Sequence, residues 1–380
     1  MPNTATLKPL GPHPAAAAAD APPLFSFAML SHAGCVRHTN QDACAALPEH
    51  SAFVVCDGVG GAAGGEIASH LAVEAFLNTL SHSSPALPRR KARSTPAPAA
   101  AESKAAESKE TPGPLDAHHP HARLREAVLT ANQAVFQRAQ KSRALRGMAT
   151  TLVAVLLDHA AASTAAAVLP DNAAAPAQTP AQNGAAGHGA AGHSAHNGHA
   201  PALAEEVHTL WLAHVGDSRC YRLRRRIGGI EGTEGAEGIP AALDQLTTDH
   251  SLVEEQIRAG VLSRAEAESS PVRNVITRAV GAAPAVEPEI AAHAIQPGDL
   301  YLLASDGLTR ELNDAAIARI LTAAAASERT DSSLEAAAHA LGKSQQASQA
   351  ALESAAHALI DAANAQGGHD NITVVLLACR

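Results

Sequence analysis

Phe53-Val-Val-Cys-Asp57-Gly58 is an apolar run that ends on a carboxylate and a glycine. Short apolar runs bounded by turn residues read as buried strands. The stretch that follows, Gly64 to Leu80, reads as a helix entered from the strand through a glycine turn. Three further segments repeat the strand part of this pattern. They are Leu210-Trp-Leu-Ala-His-Val-Gly-Asp217-Ser218, Leu300-Tyr-Leu-Leu-Ala-Ser-Asp306-Gly307 and Asp370-Asn371-Ile-Thr-Val-Val-Leu-Leu. Strands packed side by side bring their end carboxylates together. Carboxylates crowded in this way repel unless hard cations lie between them. The pattern therefore points to an all-oxygen site for several cations, and to metal-assisted hydrolysis.

Outward from these segments, Leu124, Val128, Ala131 and Val135 fall at helical spacing and mark an apolar stripe. Ala351 to Ala365 carries Leu352, Ala356, Leu359 and Ala363 on one helical face, and Gly367 suits a helix stop. Further strands are predicted over Thr150 to Leu157 and Cys220 to Leu223. Strands and helices do not alternate regularly, which indicates α+β rather than doubly wound α/β.

The 380 residues carry a net charge of -9, which gives no reason to expect nucleic-acid or membrane binding. The five cysteines form no CxxC pair and fit a reducing cytoplasm. Cys56 and Cys220 read as small core residues. The N-terminal Met1 to Pro23 lacks the basic start and apolar stretch of a secretory signal and reads as a disordered tail. Residues 24–380 read as a single domain interrupted by low-complexity insertions at about 83–118 and 159–204, with a shorter Gly/Glu-rich insert from Gly228 to Gly238. Such compositions bury too little apolar area to offset ordering entropy. The histidines of the second insertion have no fixed geometry and read as part of a solvated linker, as does Arg89-Arg-Lys91.

Taken singly, Asp57-Gly58 is an ordinary turn signal and Arg37 an ordinary arginine. In order, however, the chain presents Arg37-x-x-Asn40-Gln41-Asp42, Asp57-Gly58-Val-Gly60-Gly61, Gly147-Met-Ala-Thr150-Thr151, Gly216-Asp217-Ser218-Arg219, Thr248-Asp249-His250-Ser251, Ser305-Asp306-Gly307 and Gly367-Gly-His-Asp370-Asn371. This succession resembles the metal-dependent Ser/Thr protein phosphatases of the protein phosphatase 2C-like family in their bacterial form. Ser270 to Gly281 is similar to the flap of those enzymes. The resemblance runs from about Phe25 to Ala378, outside the low-complexity inserts.

It implies a central sandwich of two antiparallel sheets flanked by helices on both sides, with Mn²⁺ or Mg²⁺ at one end. By motif, Asp57 would bridge two cations, the Gly58 carbonyl would ligate one, and Asp306 and Asp370 the other. Asp217 would join Asp306 at a third, weaker cation. Arg37 would bind the substrate phosphate. Asp42 and Gln41 would act through water, and Asn371 would orient Asp370 or a bound water. A water between two cations would attack phosphorus directly. Partners implied are phosphorylated proteins and a cognate Ser/Thr protein kinase pathway. Two departures stand out. Gln41 replaces a frequent glutamate, and Val59 stands where eukaryotic relatives often have a histidine. The competing readings are a sigma-factor-regulating phosphatase of the same family and a catalytically silent phosphoprotein-binding module. Arg37 and the flap-like segment argue against the first, and the retained aspartates against the second.

Overall fold

Apolar runs without alternation can be strands only where both faces of the sheet are covered. The computed structural model describes residues 25–60, 64–82, 118–158, 208–224, 242–327 and 340–379. In chain order its strands are β1 (Phe25–His32), β2 (Asp42–Leu47), β3 (Ala52–Val59), β4 (Ala149–Thr150), β5 (Leu152–Asp158), β6 (Thr209–Val215), β7 (Arg219–Arg224), β8 (Ala242–Gln245), β9 (Glu289–Ala294), β10 (Leu300–Ala304) and β11 (Ile372–Cys379). The helices are α1 (Gly64–His82), α2 (Pro120–Lys141), α3 (Leu252–Arg258), α4 (Arg264–Glu268), α5 (Asp306–Thr309), α6 (Asp314–Ser327) and α7 (Ala340–Ala365). One sheet runs β1-β11-β10-β7-β8 and the other β2-β3-β5-β6-β9, all neighbours antiparallel.

Successive side chains of a strand point to opposite faces, and here each face has its own core. Val54 and Cys56 of β3, with Leu152 and Ala154 of β5, pack under α1 and α2 beside Phe76, Leu124 and Val128. Phe53 and Val55 of the same strand turn inward, against Tyr301 and Leu303 of β10 and Val375 and Leu377 of β11. Leu302, Val374 and Leu376 face the other way, onto Ile317 and Leu321 of α6 and Leu352 and Leu359 of α7. Three apolar layers thus separate four structural layers, helix–sheet–sheet–helix, as the α+β sandwich reading expected.

The anticipated stripe of α2 and the anticipated face of α7 are buried throughout. Helix α7 stops as foreseen. The Gly367 N–H donates to Asn364 O and the Gly368 N–H to Ala363 O, closing the last turn. Cys56 and Cys220 are fully buried in the core. Several elements were not anticipated. Strands β2 and β9 are alanine-rich, so their β-propensity is low and neighbouring strands define them. Helix α6 had a legible signal in Ile317 and Leu321, and the Asn313 side chain accepts from the Ala316 N–H at its start. Helix α7 begins at Ala340 rather than Ala351. The tail and the inserts assigned to 83–118, 159–204 and 228–238 lie outside the described residues, save His118.

Candidate metal centre and phosphate site

The sheets meet at one end in a cavity of about 310 Å³, lined among others by Arg37, Asp57, Asp217, Asp306, Asp370 and Arg310. Gln41, Gly58 and Asn371 also line it. Four far-separated chain segments, each next to an apolar strand, deliver these carboxylates, as the repeated apolar-run pattern anticipated.

Asp57 is not at a strand end. β3 continues through it to Val59, because Gly58 and Val59 pair with β4. Its backbone is clamped by the Thr150-Thr151 turn. The Asp57 N–H donates to Thr151 Oγ1 (2.9 Å), and Asp57 O accepts from the Thr151 N–H and Thr150 Oγ1 (both 2.8 Å). The register of β2 on β3 sets Asp42 directly opposite Asp57. Like charges in that position are destabilising. Burial, then repulsion from Asp306, Asp42, Asp217 and Asp370, pushes the Asp57 carboxyl well above the usual carboxylate range. Burial raises Asp42 to about 6, although Ser305 Oγ donates to its Oδ2 (2.7 Å).

Asp217 follows Gly216, whose φ of +108° requires glycine and turns the chain out of β6. Burial, then Asp306, raises Asp217 to about 7. Asp306 opens α5, and Gly307 packs so closely on Asn371 O that no side chain fits there. That contact brings Asp306 beside Asp370. Burial raises Asp306 to about 6, against the pull of Arg310.

Asp42 Oδ1 and Asp306 Oδ1 are buried and have no hydrogen-bond partner. Such atoms are costly unless something else satisfies them. Crowded oxygens with raised pKa values and orphaned lone pairs have the chemistry of a hard divalent-cation site. The donor set therefore fits Mn²⁺ or Mg²⁺.

Arg37 stands at the mouth, half-exposed, with Nη2 donating to Asp370 Oδ2 (2.8 Å). Asn371 fixes the loop that carries it. Asn371 Nδ2 donates to Ala33 O (3.0 Å) and Thr39 O (2.9 Å), and its Oδ1 accepts from the Gln41 N–H (2.8 Å). The Asn371 side chain is thus engaged with backbone, and its own N–H, not its amide, holds Asp370 Oδ1 (2.9 Å). Asn274 and Ile276 of the flap-like segment reach the cavity. Val280 of that segment bridges to Thr150.

Sequence reading missed Arg310. Its guanidinium pairs with Asp306 and lies 3.5 Å from Asp370 Oδ2 and 3.9 Å from Asp217 Oδ2. The signal was the i,i+4 spacing to Asp306. Also missed was a cluster of His214, His250 and Glu289, whose ligand-type atoms lie within 4.8 Å of one another. The two imidazoles stack at 4.6 Å and 17°, so their in-plane lone pairs run side by side rather than converge. His250 Nδ1 accepts from the Gly216 N–H (3.1 Å), and His214 Nε2 bonds Thr248 O (2.9 Å). The pair ties the Asp217 turn to the Asp249 loop.

The family described as Protein phosphatase 2C matches residues 36–226, half of the 380-residue chain. A putative protein phosphatase 2C-type of Streptococcus pyogenes is 34% identical over 165 residues, which are 43% of this chain and 51% of that protein. The chain thus spans about half the length of the curated relatives it matches at this level. The crystal structure of the Mycobacterium tuberculosis serine/threonine phosphatase PstP/Ppp is 25% identical, with a TM-score of 0.56 over 94% of this chain and 99% of that one. The catalytic domain of PstP in complex with 2 manganese ions is 24% identical, with a TM-score of 0.54 over 93% and 97% of the two chains. The matched span carries Arg37, Asp57 and Asp217 in the order and setting described above, and the chain belongs to the protein phosphatase 2C family.

Proposed function

We propose that this chain is a protein-serine/threonine phosphatase that hydrolyses phosphoserine and phosphothreonine with Mn²⁺ or Mg²⁺. The observation that carries this reading is the cleft itself: crowded carboxylates, two with an orphaned buried oxygen, beside the half-exposed Arg37. The serine/threonine phosphatase similar in fold and the manganese in its relative's structure agree with it.

In this reading Asp57 and the Gly58 carbonyl, with Asp306 and Asp370, would hold the cations, and Asp217 would join Asp306. Gln41 and Asp42 act through water. When bound, such cations would supply Lewis-acid polarisation of the phosphoryl oxygens and activation of water for attack on phosphorus. The chain's own residues do the rest. Arg37 offers a planar fork to the phosphate at the cavity mouth. The Thr150-Thr151 clamp fixes Asp57, and the Asn371 clamp fixes the Arg37 loop, so both groups are positioned before substrate arrives. Burial raises the pKa of Cys56, next to Asp57, well above the ordinary thiol value, so it stays protonated and is no competing nucleophile.

We read residues 24–380 as one catalytic domain, with 83–118 and 159–204 as insertions. Its place would be the cytoplasm, opposite a Ser/Thr protein kinase. Among the described residues no helix is long and apolar enough to cross a membrane. The test is turnover of a phosphothreonine peptide by the purified full chain. Hydrolysis with Mn²⁺ that stops on chelation is expected. Full activity after exhaustive chelation would overturn the metal mechanism, and binding without turnover would leave a phosphoprotein-binding module.

A further inference from the structure

Arg310 is the residue of this site that the proposed reaction leaves without a task. It follows α5, one helical turn after Asp306. Its side chain is about one-third exposed, at 35%, and lines the same cavity as Arg37. One guanidinium serves three carboxylates. It pairs with Asp306 Oδ2, and its Nη1 and Nη2 approach Asp370 Oδ2 and Asp217 Oδ2. It leaves Asp306 Oδ1 buried and unpartnered. Asp370 Oδ2 is shared with Arg37. The two arginines therefore converge on one carboxylate oxygen from two chain segments.

This arrangement sets the guanidinium and a divalent cation in competition for the same oxygens. A divalent cation needs the same carboxylates, and a guanidinium within about 4 Å of it is repelled strongly in a partly buried site. The arginine has somewhere to go. It is exposed enough to move, it lines an open cavity, and its fork geometry suits a phosphoryl group as well as a carboxylate. A substrate phosphate held by Arg37 would enter the cavity that Arg310 also lines.

We propose that Arg310 is an exchangeable counter-ion: it competes with divalent cations for Asp217, Asp306 and Asp370 and, once they are bound, turns to the substrate phosphate beside Arg37. It is a positioning residue in the first role and a phosphate ligand in the second. The inference rests on the metal-dependent phosphatase reading above.

The experiment is calorimetric titration of the full chain with Mn²⁺, then of the Mn²⁺-loaded protein with inorganic phosphate. Wild type is compared with Arg310→Gln and Arg310→Lys. Losing the charge should tighten Mn²⁺ binding by about tenfold or more and weaken phosphate binding to the loaded protein by about tenfold. Arg310→Lys keeps the charge without the fork and should fall between. It also covers the case in which Arg310→Gln does not fold. Unchanged or weaker Mn²⁺ binding in both variants overturns the competition. Tighter Mn²⁺ binding with unaltered phosphate affinity overturns the transfer to phosphate. A wild type that binds Mn²⁺ and hydrolyses the peptide, with both variants identical to it, sinks the role of Arg310 alone. A wild type that binds no Mn²⁺ takes the underlying reading with it.

Discussion

Two buried carboxylate settings lie in the same sandwich and are built in opposite ways. At the β7–β10 end, Asp299 is buried with each oxygen in use. Arg224 Nε donates to its Oδ1 (2.8 Å) and Arg224 Nη2 to its Oδ2 (2.5 Å), while the Gln296 N–H and Tyr301 Oη also donate to Oδ2. Arg219 grips Asp249 with the same fork. At the cleft, Asp42 and Asp57 face each other across two strands, and Asp42 and Asp306 each keep an oxygen with no partner. Breaking a paired, hydrogen-bonded buried charge is strongly destabilising, whereas crowded, unsatisfied ones already lower stability and mark candidates for a functional site. The contrast sets the structural aspartates apart from the candidate functional ones without reference to any relative.

The sharpest way to break this contrast is Asp57→Asn. Removing the charge that would bridge two cations should lower turnover by several orders of magnitude, on the order of 10³-fold or more, each tenfold being about 1.4 kcal/mol of barrier. Excess Mn²⁺ should not restore it fully, and the fold should be no less stable. Steady-state kinetics and a melting curve check this together; near-normal turnover would move the centre elsewhere.

Asp299→Asn should show the reverse profile. It leaves Arg224 without its counter-charge and should cost about 3 kcal/mol of stability. Turnover per folded molecule should stay unchanged. Denaturant titration beside kinetics reads both, and an activity loss without a stability loss would erase the distinction between the two settings.

Arg37→Ala should act on substrate rather than on the fold. Charge-assisted contacts to phosphate are worth about 1.5–3 kcal/mol, so kcat/KM should fall about tenfold to a hundredfold. Most of the change should appear in KM. A pure kcat effect at unchanged KM would place Arg37 outside ground-state binding.

The smallest effect concerns the His214–His250 stack that holds the Asp217 turn. Burial, then His214 and Arg278, push His250 down to about 4, against Glu289. A depressed folded pKa gives stability that is present above the unfolded value of about 6.5 and is lost as pH falls through 6.5 towards 4. One proton contributes a slope of at most about 1.4 kcal/mol per pH unit. Urea titrations between pH 7 and pH 5 should therefore show a shallower loss for His250→Gln than for wild type. Equal slopes would mean that His250 carries no such linkage.

Much of the site was legible because its signals are local. The apolar runs before Asp57, Asp217 and Asp306 and after Asp370, and the glycines beside them, require no knowledge of pairing. All four aspartates reach one cavity. Asn371 shows the limit. Its position next to Asp370 was readable, but its side chain spans to Ala33 and Thr39, more than 300 residues away in the chain. Nothing local announces that contact. Strands β2 and β9 were illegible for a related reason, since alanine-rich segments become strands through their neighbours.

By itself, then, the sequence determined the α+β class, the faces of α2 and α7, the stop after α7 and the aspartates of the cleft. Each of these follows from residue period or turn chemistry over a few positions. Only the tertiary structure decided that Asp42 opposes Asp57, that Asp42 and Asp306 keep unpaired oxygens, and that Arg310 stands among three carboxylates. Register and side-chain pairing between distant segments depend on how strands and sheets align, and a one-residue slip of β2 on β3 would turn Asp42 to the other face.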